Sequence, residues 1–230
     1  MFVEKRFGMR LLIDSANVAD QYLLAFGFYE ERERRILFSA AAQAAAHSGQ
    51  KLFLDVGAHA GYYALWASQS GIFDRIVAIE ADPRNAGQLR ANLFLNGLSE
   101  KIEVVEAAAS DSSKDLEFWL GNERSRDVSR VVQSGAPSGG RYRRVPAVSL
   151  DELYNLSGGL LVAKIDVEGF EEKVVAGARG LLTRNQVIAQ IEVFPEAALQ
   201  FEDTMKGLGF WRFAAVGNDL FYRNFGSGQP

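Results

Sequence analysis

Residues 51–61 read KLFLDVGAHAG. An apolar run closes on Asp55, and two glycines, Gly57 and Gly61, follow at its mouth. A short, nearly continuous apolar run bounded by glycine predicts a strand buried on both faces, as in a parallel sheet. In a doubly wound sheet, ligands sit beyond the carboxyl ends of the strands where strand order reverses, so the loop after the first strand is the expected ligand loop. Glycines there let backbone N–H groups approach a ligand with no Cβ in the way. The spacing Gly57-x-x-x-Gly61 is neither the G-x-G-x-x-G dinucleotide fingerprint nor a P-loop, since no Gly-Lys-Ser/Thr follows.

The same strand–helix alternation continues outward. YYALWASQS predicts a helix ended by Gly71, RIVAIEA a strand, and Pro83 the first turn of a helix reaching about Asn96 and closed by Gly97. IEVVEAAAS reads as a third strand and DLEFWLG as an extra strand. LLVAKIDVEG is the next long apolar strand, followed by one helix at about 170–182, the strand VIAQIEVF, and a helix opened by Pro195. FWRFAAV and DLFYRN, joined by Gly217-Asn218, predict a terminal hairpin. Upstream, residues 14–25 and 28–47 predict two helices. The fold class is therefore α/β: a doubly wound, Rossmann-like, mostly parallel sheet with an antiparallel C-terminal edge. At 230 residues the chain is expected to be a single domain, with residues 1–49 as an accessory helical layer. Residues 121–144, with six arginines and two acids among Gly and Ser, are expected to be a mobile insertion, either a lid that recognises anionic groups or a solvated loop.

Asp55 would repel a phosphate but can hold an ammonium group, directly or through water. Glu80 ends the following strand, where an acid can accept both hydroxyls of a ribose. A ligand with an amino-acid moiety, a ribose and a base fits Asp55, Gly57, Gly61 and Glu80 together, so the four read as an S-adenosylmethionine site. A plain tight turn with incidental acids, or an NAD or flavin site, are the alternatives. Ala108 is placed beside the adenine by this reading, with Ser110 and Asp111 in the loop beyond, while three successive alanines also suit close sheet packing.

FLDVGAHAGYYALWAS, IVAIEADPRNAGQLRANLFLNG and VAKIDVEGFEEKVVAGARGLL together resemble the FkbM-type family of S-adenosylmethionine-dependent methyltransferases over roughly residues 29–193. The KIDVEG block, Lys164 to Gly169, is the most telling. FYEERE, with Tyr29 and Glu30, resembles the family's segment before the first strand, and IEVF, with Glu192, its fifth-strand end. His59 stands where the family usually has Asn, and Ala81 where Glu-Pro often continues. The resemblance implies methyl transfer, usually to a hydroxyl of a sugar, polyketide or similar small metabolite.

Methyl transfer depends on aligning acceptor, methyl carbon and sulfur, and a hydroxyl acceptor also gives up a proton. Asp166 is the expected base or orienter at the end of the fourth strand. Glu168 points the same way if the strand persists that far, and otherwise serves as a helix N-terminal acid. Glu192 ends the next strand and is expected at the same pocket. Together the three acids can hold a divalent cation, but that arrangement is not the favoured one and no metal is assigned. His59 is expected at the cofactor, Ala81 beside Glu80, and His47 as a helix C-terminal cation. Tyr22, Phe26, Phe28 and Tyr29 can line the acceptor pocket or belong to the core.

With no cysteine, the chain has no disulfide, Cys-ligated zinc or thiol nucleophile. No apolar run approaches about 18 residues, and the charged N-terminus lacks a signal-peptide core, so a cytoplasmic protein with no membrane partner is expected. The net charge of −4 argues against a nucleic-acid partner. A small hydroxylated acceptor is the expected partner, and the oligomeric state stays open. O-methylation leads. N- or C-methylation, a nucleotide-binding oxidoreductase and a non-catalytic S-adenosylmethionine-binding protein are the alternatives.

Overall fold

The computed structural model describes residues 1–15, 17–27, 29–46, 48–121, 129–132 and 140–226. In chain order the elements are β1 (Phe2–Arg6), β2 (Met9–Ile13), α1 (Val18–Phe26), α2 (Glu31–Ala45), β3 (Lys51–Val56), α3 (Tyr62–Ser70), β4 (Arg75–Ile79), α4 (Pro83–Leu95), β5 (Ile102–Val105), β6 (Ala108–Ala109), β7 (Leu116–Trp119), β8 (Arg130–Val131), β9 (Tyr142–Val145), β10 (Ala147–Val148), α5 (Leu150–Leu153), β11 (Leu160–Ile165), α6 (Glu171–Gly177), α7 (Arg179–Thr183), β12 (Gln186–Glu192), α8 (Ala198–Gly207), β13 (Trp211–Val216) and β14 (Asp219–Arg223).

The main sheet runs β13-β14-β12-β11-β3-β4-β5. Five strands from β12 to β5 are parallel, and β14 lies antiparallel between β12 and β13. The chain moves outward from β3 to β4 and β5, then returns to the other side of β3 for β11 and β12. Strand order therefore reverses between β3 and β11, which places the ligand crevice at their carboxyl ends.

Alternation of side chains divides the core into two layers. Leu52, Leu54 and Val56 of β3 join Leu161, Ala163 and Ile165 of β11, packed by Val174, Leu181 and Phe201 of the C-terminal helices. Phe53, Val162 and Ile188 face the other way, against Leu23, Leu37, Leu65 and Leu89 of α1–α4. Each such burial is worth about 1.5–3 kcal/mol, so both sheet faces need their helices. The same parity sends Asp55, Lys164 and Gln190 into the second layer, where all three are buried.

Several expectations are corrected. Residues 1–49 are not all helical, because β1 and β2 form an antiparallel hairpin turned at Phe7 and Gly8, both at positive φ. Met9, Leu11 and Ile13 alternate into the core, and the side chains of Asn92 in α4 and of Asn96, which caps it, bond the β2 backbone. The third strand is broken after Val105, and Ala108–Ala109 pair instead with β10. The helix expected at 170–182 is two, parted at Ala178. The described part of residues 121–144 contributes β8 and β9, which flank β7 in a small three-stranded sheet. The rest of that segment, with Phe28 and His47, lies outside the described residues.

Candidate active site

The strands end in register. Lys164 lies opposite Asp55 and Ile165 opposite Val56, and the next amides continue the ladder: Asp166 N–H donates to Val56 (2.9 Å) and Gly57 N–H to Ile79 (2.9 Å). Glu80, Gly57, Asp166 and Glu192 thus line up along one carboxyl edge.

Glu80 is 6% exposed, and each of its oxygens is fixed by a backbone amide: Oε2 accepts from His59 and Oε1 from Asp82, both at 2.7 Å. Burial pushes its carboxyl up to about 7. It sits at the polar edge of a cleft lined by Gly57, Ala81, Ala108, Phe118, Val131 and Phe170. Two oxygens held in place beside a flat apolar slot fit a ribose and a base. The cleft wall formed by β7 and β8 comes from the small sheet.

Asp55 is 2% exposed and does not line this cleft. Its Oδ2 accepts from the Ala64 amide (2.9 Å), so it caps α3 from within the sheet. Burial pushes its carboxyl up to about 7. The loop glycines also carry a different constraint from ligand approach. At Gly57 (φ +79°) a Cβ would lie 1.7 Å from the Asp166 carbonyl oxygen, and at Gly61 (φ +84°) it would lie 2.2 Å from Leu89 Cδ1. Both glycines let elements of the fold close on each other.

His59 adopts φ 52°, and its Nε2 meets Asn17 Nδ2 at 2.8 Å. The Asn17 oxygen is already taken by the Ala19 amide (3.0 Å) as the cap of α1. Asn17 must therefore donate, which leaves the His59 proton on Nδ1. His59 joins the loop after β3 to the N-terminal layer.

Asp166 keeps 23% of its side chain exposed and lies 3.2 Å from Lys164 Nζ. Burial pushes its carboxyl up, but the Lys164 charge and hydrogen bonds from Glu192 and Lys164 outweigh it and hold the group below its ordinary value. Glu192 is driven the other way, up to about 9, by burial and by the Asp166 charge. The two shifts run in opposite directions: Lys164 favours the charge on Asp166, and burial beside that charge favours the proton on Glu192. Lys164 is buried, and its burial is outweighed by Asp166, Glu30 (3.9 Å) and Asp219 (3.3 Å), which hold the ammonium charged.

Glu168 does not share the Asp166 parity. β11 stops at Ile165, and Glu168 itself takes φ 57°. It still reaches the crevice that Asp166, Glu171 and Glu192 line. Among the described residues, no group of three or more His, Asp or Glu side chains is arranged to hold a metal ion. Asp111 does not line the cleft; Lys173 holds its carboxylate at 2.7 Å, below its usual range.

The site includes residues that sequence reasoning did not assign. Asp219 is brought opposite Glu192 by the terminal hairpin. Gln190 donates to Tyr63 (2.9 Å) and Asp219 (2.7 Å), and Tyr63 donates to Glu30 (2.7 Å). The Gly217-Asn218 turn signal fixes the hairpin register and could have located Asp219.

The sequence matches the Methyltransferase FkbM domain over residues 55–211. A relative, O-methyltransferase imqG of Aspergillus flavus, is 38% identical over 95 residues, 41% of this chain, and this chain spans only 38% of that protein. The fold is similar to that of a human methyltransferase 10 domain containing protein (TM-score 0.50, 12% identity, covering 90% of this chain and 91% of that one). It is also similar to the hMettl16 catalytic domain in complex with MAT2A 3'UTR hairpin 1 (TM-score 0.52, 10% identity, covering 90% and 77%). That second structure corrects one expectation. A chain of this fold holds a nucleic-acid hairpin, so the mild acidity of this protein does not exclude a nucleic-acid partner. No helix among the described residues is long and apolar enough to cross a membrane. The matched domain covers most of the chain, and the protein belongs to the FkbM family of methyltransferases.

Proposed function

We propose that this protein is an S-adenosylmethionine-dependent O-methyltransferase acting on a hydroxyl of a small metabolite, such as a sugar or a glycosylated or polyketide natural product. The observation that carries this reading is Asp166, an ionised and partly exposed carboxylate at the β3/β11 reversal, with Lys164 on one side and protonated Glu192 on the other. When bound, S-adenosylmethionine supplies the methyl group. Glu80 would accept the two ribose hydroxyls, Ala81 and Ala108 would hold the adenosine, and Gly57 and His59 would hold the rest of the cofactor. Asp166 would orient the acceptor hydroxyl and accept its proton as the O–CH3 bond forms and the sulfonium's S–CH3 bond breaks to leave neutral S-adenosylhomocysteine, and would then pass that proton to solvent through its exposed edge. Lys164 keeps Asp166 ionised, and Glu192 fixes it by hydrogen bonding.

The test begins with calorimetric titration of S-adenosylhomocysteine against NAD, followed by an acceptor screen read by mass spectrometry of the methylated product. Binding of NAD alone overturns the reading, and a product methylated only on nitrogen or carbon overturns its O-specific part.

Binding should also depend on pH. Glu80 titrates near 7 in the free protein. Ribose hydroxyls donate to its ionised form, so binding lowers its pKa and releases a proton. Affinity for S-adenosylhomocysteine should therefore rise with pH through about 7, and fall by up to about tenfold per unit below it. Glu80→Gln should bind more weakly and lose most of that slope. An unchanged slope in the variant would remove Glu80 as its source.

A further inference from the structure

A second cleft, of about 610 Å³, lies between α1 and the start of α2, lined by Val18, Ala19 and Tyr22 on one side and by Tyr29 and Glu30 toward the sheet. Its outer wall is exposed apolar surface. Val18 (42% exposed), Tyr22 (55%) and Phe26 (60%) recur every four residues on one face of α1, and the Tyr22 and Phe26 rings lie 5.4 Å apart. Three large apolar side chains on one helical face form a patch rather than scattered surface residues. The inner end of the cleft is Glu30, 3.9 Å from the Lys164 ammonium that also holds Asp166. The cleft thus runs from an aromatic rim to Glu30, which shares the Lys164 ammonium with Asp166. α1 is tied to the cofactor loop through Asn17 and His59.

Charge narrows the occupant. Glu30, Glu31 and Glu33 line the cleft against Arg32, and Asp166 and Asp219 stand behind Glu30 with Lys164 as their shared cation. Glu31 is itself paired with Arg35. An anionic ligand meets a net negative wall here, whereas a neutral ring can lie against tyrosine faces.

We infer that this cleft is the acceptor site, and that it takes an acceptor with a flat, apolar body that carries no negative charge, its hydroxyl directed past Glu30 toward Asp166. The inference rests on the reading of Asp166 as the reacting centre and narrows the acceptor to planar phenol-like compounds rather than free sugars or acids.

The test uses 2-naphthol as probe and 2-naphthoate as its anionic match, with binding read by ligand-observed NMR on the full chain in the presence of S-adenosylhomocysteine. Tyr22→Ala removes an exposed ring and leaves the core intact. The expected result is saturable 2-naphthol binding, weakened at least about fivefold in Tyr22→Ala, with 2-naphthoate bound at least about tenfold more weakly by the wild type. Affinity for S-adenosylhomocysteine, measured separately, should stay unchanged in the variant. Absent naphthol binding, equal binding by Tyr22→Ala, or naphthoate binding as tightly as naphthol would each overturn the inference. Loss of the cofactor reading would appear instead as a failure of S-adenosylhomocysteine to bind the wild type.

Discussion

Asp166→Asn is expected to lower kcat by about 10²–10⁴-fold, the range over which a positioned general base contributes. The substitution keeps the shape of the side chain and removes its charge. Lys164 retains Glu30 and Asp219 as partners, so the buried ammonium is not stranded. Glu80, the proposed cofactor contact, stands at the end of a different strand. Affinity for S-adenosylhomocysteine should therefore stay within about threefold of wild type, a difference under ~1 kcal/mol. Glu192→Gln is the companion variant: it keeps a neutral donor to Asp166, as protonated Glu192 does, and should retain turnover within about tenfold. Single-turnover rates with an identified acceptor, measured beside calorimetry, check both. Near-native turnover by Asp166→Asn would remove Asp166 from the chemistry and leave it as a partner of Lys164.

Gly57→Ala should be the most damaging conservative change in the chain's opening motif. A Cβ there would sit 1.7 Å from the Asp166 carbonyl oxygen, a backbone atom held in the β3–β11 ladder. Relief requires the two central strands to part. Left-handed backbone in a non-glycine residue costs about 1–2 kcal/mol, and forced overpacking adds about 1–3 kcal/mol. A loss of about 2–5 kcal/mol is expected from urea unfolding. Gly71→Ala is the control, because Gly71 also has positive φ (65°) but has nothing within 4 Å of an added Cβ. It should lose only about 1–2 kcal/mol, the backbone part alone. Equal losses in the two variants would show that the approach to Asp166 is not what makes Gly57 necessary.

The contrast between Gly57 and Asp55 illustrates how far local reading reaches. Both were legible as the mouth of a buried strand. Their reasons were not, because those depend on how the chain folds back on itself rather than on adjacent residues. Gly57 is constrained by the carbonyl of Asp166, and Asp55 is occupied by the amide of Ala64. Glu168 shows the reverse limit. Its expected side followed from strand periodicity, and that periodicity ends at Ile165. The N-terminal hairpin escaped notice because a five-residue alternation such as Met9, Leu11, Ile13 is weak beside the charged residues around it.

The sequence by itself determined the parallel sheet, the alternation of its strands with helices, the glycine-bearing loop, and the acids that end three of its strands. These follow from periodicity, turn residues and apolar run length, which act within about ten residues of chain. The tertiary structure alone decided which acid is charged. Asp166 and Glu192 are both strand-end carboxyls, and neither their spacing nor their neighbours in sequence tell them apart. Folding brings both beside a single ammonium in a half-buried crevice, and Lys164 stands 3.2 Å from Asp166. A low-dielectric site with one cation favours one carboxylate over two, so the proton stays on Glu192 and the negative charge on Asp166.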